Sequence, residues 1–203
     1  MLCAGKAFPQ VDSTPPAHLG AQPSEIESNP DYQPIAGKQR LKWVVKGTVG
    51  PESLGKGLFL AGIATAQNRP PEYGPHWEGF GKRYGMRLTG VATDHVMEAS
   101  VGALWGEDPR YFHSLDHDFR SRMKHAVFST FTAPRADGHM APAYARFIAI
   151  PGSNLLSNTW RPERTDTASD AGKRIVLAFA GRVAGNVFKE FWPDIKRRIS
   201  RKK

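Results

Sequence analysis

Apolar positions recur three and four residues apart over most of this chain, the spacing of a helix face rather than the alternation of a strand. Residues 39–46 give a short amphipathic turn around Leu41, Trp43, Val44 and Val45, closed by Gly47 and Gly50. Pro51 suits a first helical position, and the helix it opens, with Leu58, Phe59, Leu60 and Ile63, runs to about Gln67, where Asn68-Arg69-Pro70-Pro71 stops it. At 1.5 Å per residue that helix measures roughly 25 Å, short of a hydrocarbon core of about 30 Å.

The most legible segment is 77–105. Gly81, Gly85, Leu88, Ala92, Val96, Ala99 and Ala103 fall on one side, a row of small residues that predicts close contact with another helix. Arg87, Asp94 and Glu98 lie on the other side. Glu107-Asp108-Pro109 ends the helix, since proline cannot donate the next backbone bond. Another helix is predicted over 121–132, burying Met123, Ala126, Val127, Thr130 and Phe131. Residues 142–160 read as helical but interrupted at Pro151-Gly152. Over 170–192, Val176, Ala180, Val183, Ala184, Val187, Phe188 and Phe191 form one face and Arg182, Asn186 and Lys189 the other, with Pro193 as the stop. No segment meets strand criteria. The fold expected is all-α: a bundle of five or six short Gly/Ala-rich helices over residues 39–195.

Composition changes the picture at the two ends. Residues 1–38 hold six of the sixteen prolines without an apolar face, which predicts a disordered lead. The formal charge of +9 owes six units to Lys196, Arg197, Arg198, Arg201, Lys202 and Lys203, so residues 1–195 carry only +3. That basic tail, 196–203, is read as a site for anionic membrane lipid, with nucleic acid the less favoured partner. Cys3 is the only cysteine, which rules out an internal disulfide and a thiol-based metal site in the domain. The opening residues lack the apolar stretch of an intact export signal.

Candidate chemistry follows from charges within apolar helices. Asp94, His95 and Glu98 cost about 2.5 to 3.5 kcal/mol each near the centre of a membrane-spanning helix, so an isolated span at 77–105 is disfavoured. Charges that face one another in a bundle avoid that cost, and the helical positions set Asp94 and Glu98 against Arg182 and Lys189, with Asn186 bridging. The plainer alternative is that both polar faces point at water. His113 and His117 are four apart and lie near His125 and His139, yet no His-Glu-x-x-His pattern accompanies them, so no metal is expected. No nucleotide loop, dinucleotide fingerprint or nucleophile elbow occurs, and no cofactor is implied. Trp43, Trp77, Trp105, Trp160 and Trp192 sit near predicted helix ends, as a membrane-interface belt would place them.

Four short motifs act as labels: Gly-Lys-Arg-Tyr-Gly at 81–85, Glu-Asp-Pro-Arg-Tyr-Phe at 107–112, Ser157-Asn158, and Glu-Phe-Trp-Pro-Asp-Ile at 190–195. On these the chain resembles a family of small uncharacterised bacterial proteins, over roughly residues 40–195. The resemblance implies the cell envelope and carries over no catalytic residue. The expected function is therefore a membrane-associated structural or interaction protein that packs helices against a partner or a second copy. The alternative is an envelope enzyme acting on a lipid or cell-wall substrate, with Asp94, His95 and Glu98 as acid–base groups.

Overall fold

A computed structural model describes residues 32–201. It is an all-α bundle: α1 (Gly37–Val49), α2 (Pro51–Ala66), α3 (Trp77–Trp105), α4 (Phe119–Phe131), α5 (Tyr144–Leu156) and α6 (Ala168–Ser200). Helix α3 is the hub, packed by α1, α2 and α5, and α6 lies against α4 and α5. A small antiparallel ribbon, β1 (Thr132–Pro134) and β2 (Met140–Pro142), joins α4 to α5. Strands of three residues are too short to show alternation, which is why the sequence reads them as loop.

Two prolines expected to break helices lie inside them instead. Helix α5 runs unbroken through Pro151, and α6 continues past Pro193 for another two turns. Proline removes the backbone donor that the carbonyl four residues earlier would use. For Pro193 that carbonyl belongs to Lys189, and it accepts a hydrogen bond from His113 Nε2 at 3.1 Å. The next carbonyl, of Glu190, accepts from Arg122 Nη2 at 2.6 Å. Side chains from the 107–122 segment thus replace what proline takes away.

Residues 32–36 also depart from expectation, since the sequence predicts a disordered lead to residue 38. Ile35 is buried, and Tyr32 donates to Asp108 at 3.4 Å. The rest of the lead, 1–31, lies outside the described residues, as do Lys202 and Lys203 of the tail. Lys196, Arg197 and Arg198 form the last turns of α6, and Arg201 caps it.

The faces of α3 and α6 are inverted relative to the sequence reading. Gly81, Gly85, Val96 and Ala103 are exposed, with only Ala99 of that row buried, whereas Arg83 and Glu98 are interior. On α6, Val176, Ala180, Ala184 and Phe188 face outward while Asn186 and Glu190 are buried. The charged faces are the packed ones because each buried charge has an opposite charge or a carbonyl within hydrogen-bond distance, which offsets its desolvation. Small residues do mediate close contact, but elsewhere. Ser53, Gly57 and Ala61 make the buried stripe of α2, and Ala145, Ala149 and Ser153 that of α5.

These features correct the membrane reading. Among the described residues no helix is long and apolar enough to cross a membrane. Helix α2 is apolar but has only 16 residues, about 24 Å, while α3 and α6 have the length but carry charges along it. The expectations of a membrane-associated structural role, of an anionic-lipid partner at the basic tail and of a cell-envelope location are withdrawn on that finding. The tryptophan belt goes with them: Trp43 sits mid-helix with its ring edge-on to His95, and Trp192 lies within α6, at the edge of a cleft between helices.

Candidate anion-binding site

Helices α1, α2, α3 and α6 line a cavity of about 1030 Å³ that is open to solvent along one side. Its shape follows from small residues that leave room. Gly181 and Gly185 sit one turn apart on the α6 wall, and no packed atom comes closer than 4.0 Å to a side chain built at either. On the opposite wall the backbones are tight. A methyl group at Gly47 would meet the His95 ring at 2.7 Å, and one at Gly57 would meet Tyr84 at 2.8 Å. The bundle is closed on the α1/α2 side and hollow on the α6 side.

Basic residues dominate the lining. Lys42 and Lys46 come from one face of α1, Lys56 from α2 and Arg87 from α3. Arg146 and Arg182 form the inner end, Lys189 lies at the exposed rim, and Arg110 reaches in from the segment after α3. The only carboxylate on the lining is Glu52, already bonded to Lys56 at 2.6 Å. Arg110 is held by Asp108 at 2.6 Å. Counting also Glu98 and Asp94 behind the wall, eight cations face four carboxylates, so at least four positive charges are unmatched.

The inner end is built on Glu98. Its Oε1 accepts from Arg146 Nε at 2.9 Å and from Arg182 Nη2 at 2.7 Å, and its Oε2 has no partner. Burial acts to raise its pKa, but the Arg182 and Arg146 charges overcome that and hold it below the usual carboxylate range. One carboxylate thus anchors two guanidinium groups. Arg146 is 3% exposed; its Nη1 donates to the Ser129 and Thr130 carbonyls, and its Nη2 donates to no described residue. Burial, reinforced by the charge of Arg182, lowers the Arg146 pKa to about 10. Lys189, at the exposed rim, is lowered by partial desolvation and then by neighbouring cations, although Glu52 opposes this.

The three acid–base candidates separate. His95 reaches the cavity wall, its Nδ1 3.3 Å from Thr48 Oγ1. Burial, then Arg182, pushes its pKa down to about 4, so the imidazole is neutral. Asp94 points toward α5, where it accepts from Ser153 at 3.2 Å; burial and the Glu98 charge raise its pKa to about 6. Glu98 is fixed behind the two arginines. Of the expected ion-pair set, Glu98 meets Arg182, Asp94 is hydrogen-bonded to Ser153, and no carboxylate lies within salt-bridge distance of Lys189 among the described residues. Asn186 bonds to Thr130 rather than bridging the charges.

The remaining candidates serve the fold. His125 Nε2 bonds the Phe112 carbonyl, and among the described residues no three His, Cys, Asp or Glu side chains converge as metal ligands. The 107–112 and 190–195 motifs meet in space, with Tyr111 donating to Glu190 at 2.6 Å. Arg146 is not among the residues that helical periodicity singles out, although a lone arginine within Ala143-Tyr-Ala-Arg-Phe-Ile-Ala-Ile is a signal that a buried partner exists. No family model, curated protein or solved structure matches the chain.

Proposed function

We propose that this chain binds an anionic small molecule in the cavity between α1, α2, α3 and α6. The observation that carries the reading is Arg146, a buried guanidinium whose Nη2 is unpartnered at the wall of a hollow lined by further cations. Glu98 and Asp94 answer Arg146 and Arg182, but Lys42, Lys46, Arg87 and Lys189 on the same lining have no carboxylate within salt-bridge distance among the described residues, and an anion in the hollow supplies the missing charge. Arginine forks also match oxyanion geometry with paired donors.

A second reading is acid–base catalysis on that bound anion. His95 favours it, since it alone of the Asp94, His95 and Glu98 trio meets the cavity, with a neutral ring whose Nε2 makes no hydrogen bond to a described residue. An anion beside it offsets the repulsion from Arg182 and raises its proton affinity toward neutral pH.

Calorimetric titration with inorganic phosphate at low salt tests the binding. The wild type is expected to bind it, and Arg182→Met and Lys189→Met each weaken binding about tenfold or more, the scale of one charge-assisted hydrogen bond. Heats no larger than those given by chloride at equal ionic strength would sink the reading.

A further inference from the structure

We infer that the anion is a phosphate group carried on an aromatic or heteroaromatic ring, a compound of mononucleotide size. This rests on the anion-binding reading and adds what the outer half of the cavity contributes. Three observations point the same way. The first is volume: about 1030 Å³ is far more than an inorganic anion fills and suits a ligand of drug or nucleotide size. The second is charge. At least four unmatched cations line the space, and a phosphate monoester brings close to two negative charges and three acceptor oxygens, where a single carboxylate brings one charge.

The third is the character of the outer wall. Phe188 and Trp192 lie one turn apart on α6, flank Lys189 and contact each other with ring centroids 5.1 Å apart. They are 45% and 46% exposed, so both rings keep open surface beside the cationic inner end. Large aromatic surface left open at a cavity edge, next to a lysine, is what a stacked ring joined to an anion would cover. An inorganic anion leaves that surface bare. The inner arginines thus take the phosphate, and the Phe188–Trp192 pair takes the ring.

Adenosine monophosphate, adenosine and inorganic phosphate serve as probes, titrated against the full chain. The monophosphate is expected to bind roughly ten- to a hundredfold tighter than inorganic phosphate, the scale of one base stacked on an aromatic side chain, and adenosine far more weakly than either. Trp192→Ala should bring the monophosphate down to the affinity of inorganic phosphate and leave the latter unchanged. Trp192→Leu, which keeps apolar bulk without the ring face, should do the same with the fold unperturbed. Equal affinity of the two phosphates in the wild type, or equal weakening of both by Trp192→Leu, overturns the ring assignment while anion binding stands. Failure of every phosphate to bind overturns both.

Discussion

Glu98 and Glu190 are both fully buried carboxylates on the longest helices, each bonded to arginine, yet their surroundings differ in one respect. Glu190 is satisfied on both oxygens: Arg122 donates to Oε1, and Tyr111 and the Ser114 amide donate to Oε2. Its arginine has a second carboxylate, Asp194, at 2.6 Å. Around Glu98 the balance is reversed, with two arginines on one oxygen, the other oxygen bare, and a cavity in front. The Glu190 cluster, with both carboxylate oxygens bonded, fastens the 107–122 segment to α6. The Glu98 cluster, with one oxygen bare and unpaired lysines and Arg87 lining the open space in front, is poised for a ligand.

The comparison breaks most sharply when each cluster loses one member. Removing one partner of a buried ion pair costs about 3–5 kcal/mol, because the survivor stays desolvated without compensation. Glu98→Gln and Arg122→Met are both expected to lose stability on that scale in chemical denaturation. They should then part ways. Without Glu98 the two guanidiniums lose the carboxylate they share and keep only Asp94 nearby, so added phosphate raises the melting temperature of Glu98→Gln more than that of the wild type, by mass action on the native state. Phosphate should shift Arg122→Met no more than it shifts the wild type. An equal phosphate response in the two variants would erase the distinction between site and fastener.

A second break uses pH, because Asp94 and His95 flank the Glu98 centre with opposite linkage. Asp94 faces Ser153 and Arg146 of α5, Arg182 of α6 and its neighbour Glu98. Its folded pKa of about 6 lies above the ordinary 3.8, so the native state holds the proton longer, and stability falls as pH rises through that interval. His95 faces Thr48 and Trp43 of α1, Arg182 and Lys189 of α6, and Arg87 and Glu98 of its own helix. Its folded pKa of about 4 lies below the ordinary 6.5, so the unfolded state binds the proton more readily, and stability rises with pH from about 4 to 6.5. Each effect amounts to roughly 3 kcal/mol, and over the shared window they nearly cancel. The wild type should therefore show a shallower pH dependence between about pH 5 and 6 than either single variant. Asp94→Asn should tilt it upward with pH, and His95→Gln downward. Parallel profiles for the three proteins would show that the two groups are not set against each other.

Much of this fold is legible in the sequence, and the reason it is only partly so lies in particular residues. Helix starts at Pro51 and Trp77 and the stop at Glu107-Asp108-Pro109 follow from local backbone chemistry, which needs no tertiary partner. Helix orientation does not. Reading α3 by hydropathy turns its Gly81–Ala103 row inward, whereas Glu98 is interior because Arg146 and Arg182 arrive from helices 48 and 84 residues away. The helical tail beyond Pro193 likewise depends on His113 and Arg122, side chains remote in sequence. The site was legible in half. Asp94, His95, Glu98 and Arg182 stand out as charges in apolar helices, but a hollow created by Gly181 and Gly185 has no local signature, since the same glycines would equally suit close packing.

The gentlest probe of the comparison is Glu52, the sole carboxylate on the cavity lining. Its partner Lys56 is four residues on, with both side chains about half exposed, so the pair contributes little to folding. Exposed pairs of this spacing are worth about 0.3–0.5 kcal/mol, and Glu52→Gln should change stability by no more than that. Its effect on binding should be larger. The substitution frees Lys56 and removes the one negative charge that opposes an entering anion, and Lys189 loses the carboxylate that favours its charged form. Phosphate affinity in Glu52→Gln is therefore expected to rise several-fold at low salt, with the gain shrinking as ionic strength increases. The matching substitution in the Glu190 cluster, Asp194→Asn, removes a carboxylate from Arg122 and should leave phosphate affinity where it was. An affinity that falls or stays constant in Glu52→Gln would mean that the cations lining this hollow act as a solvated surface and not as a receptor for negative charge.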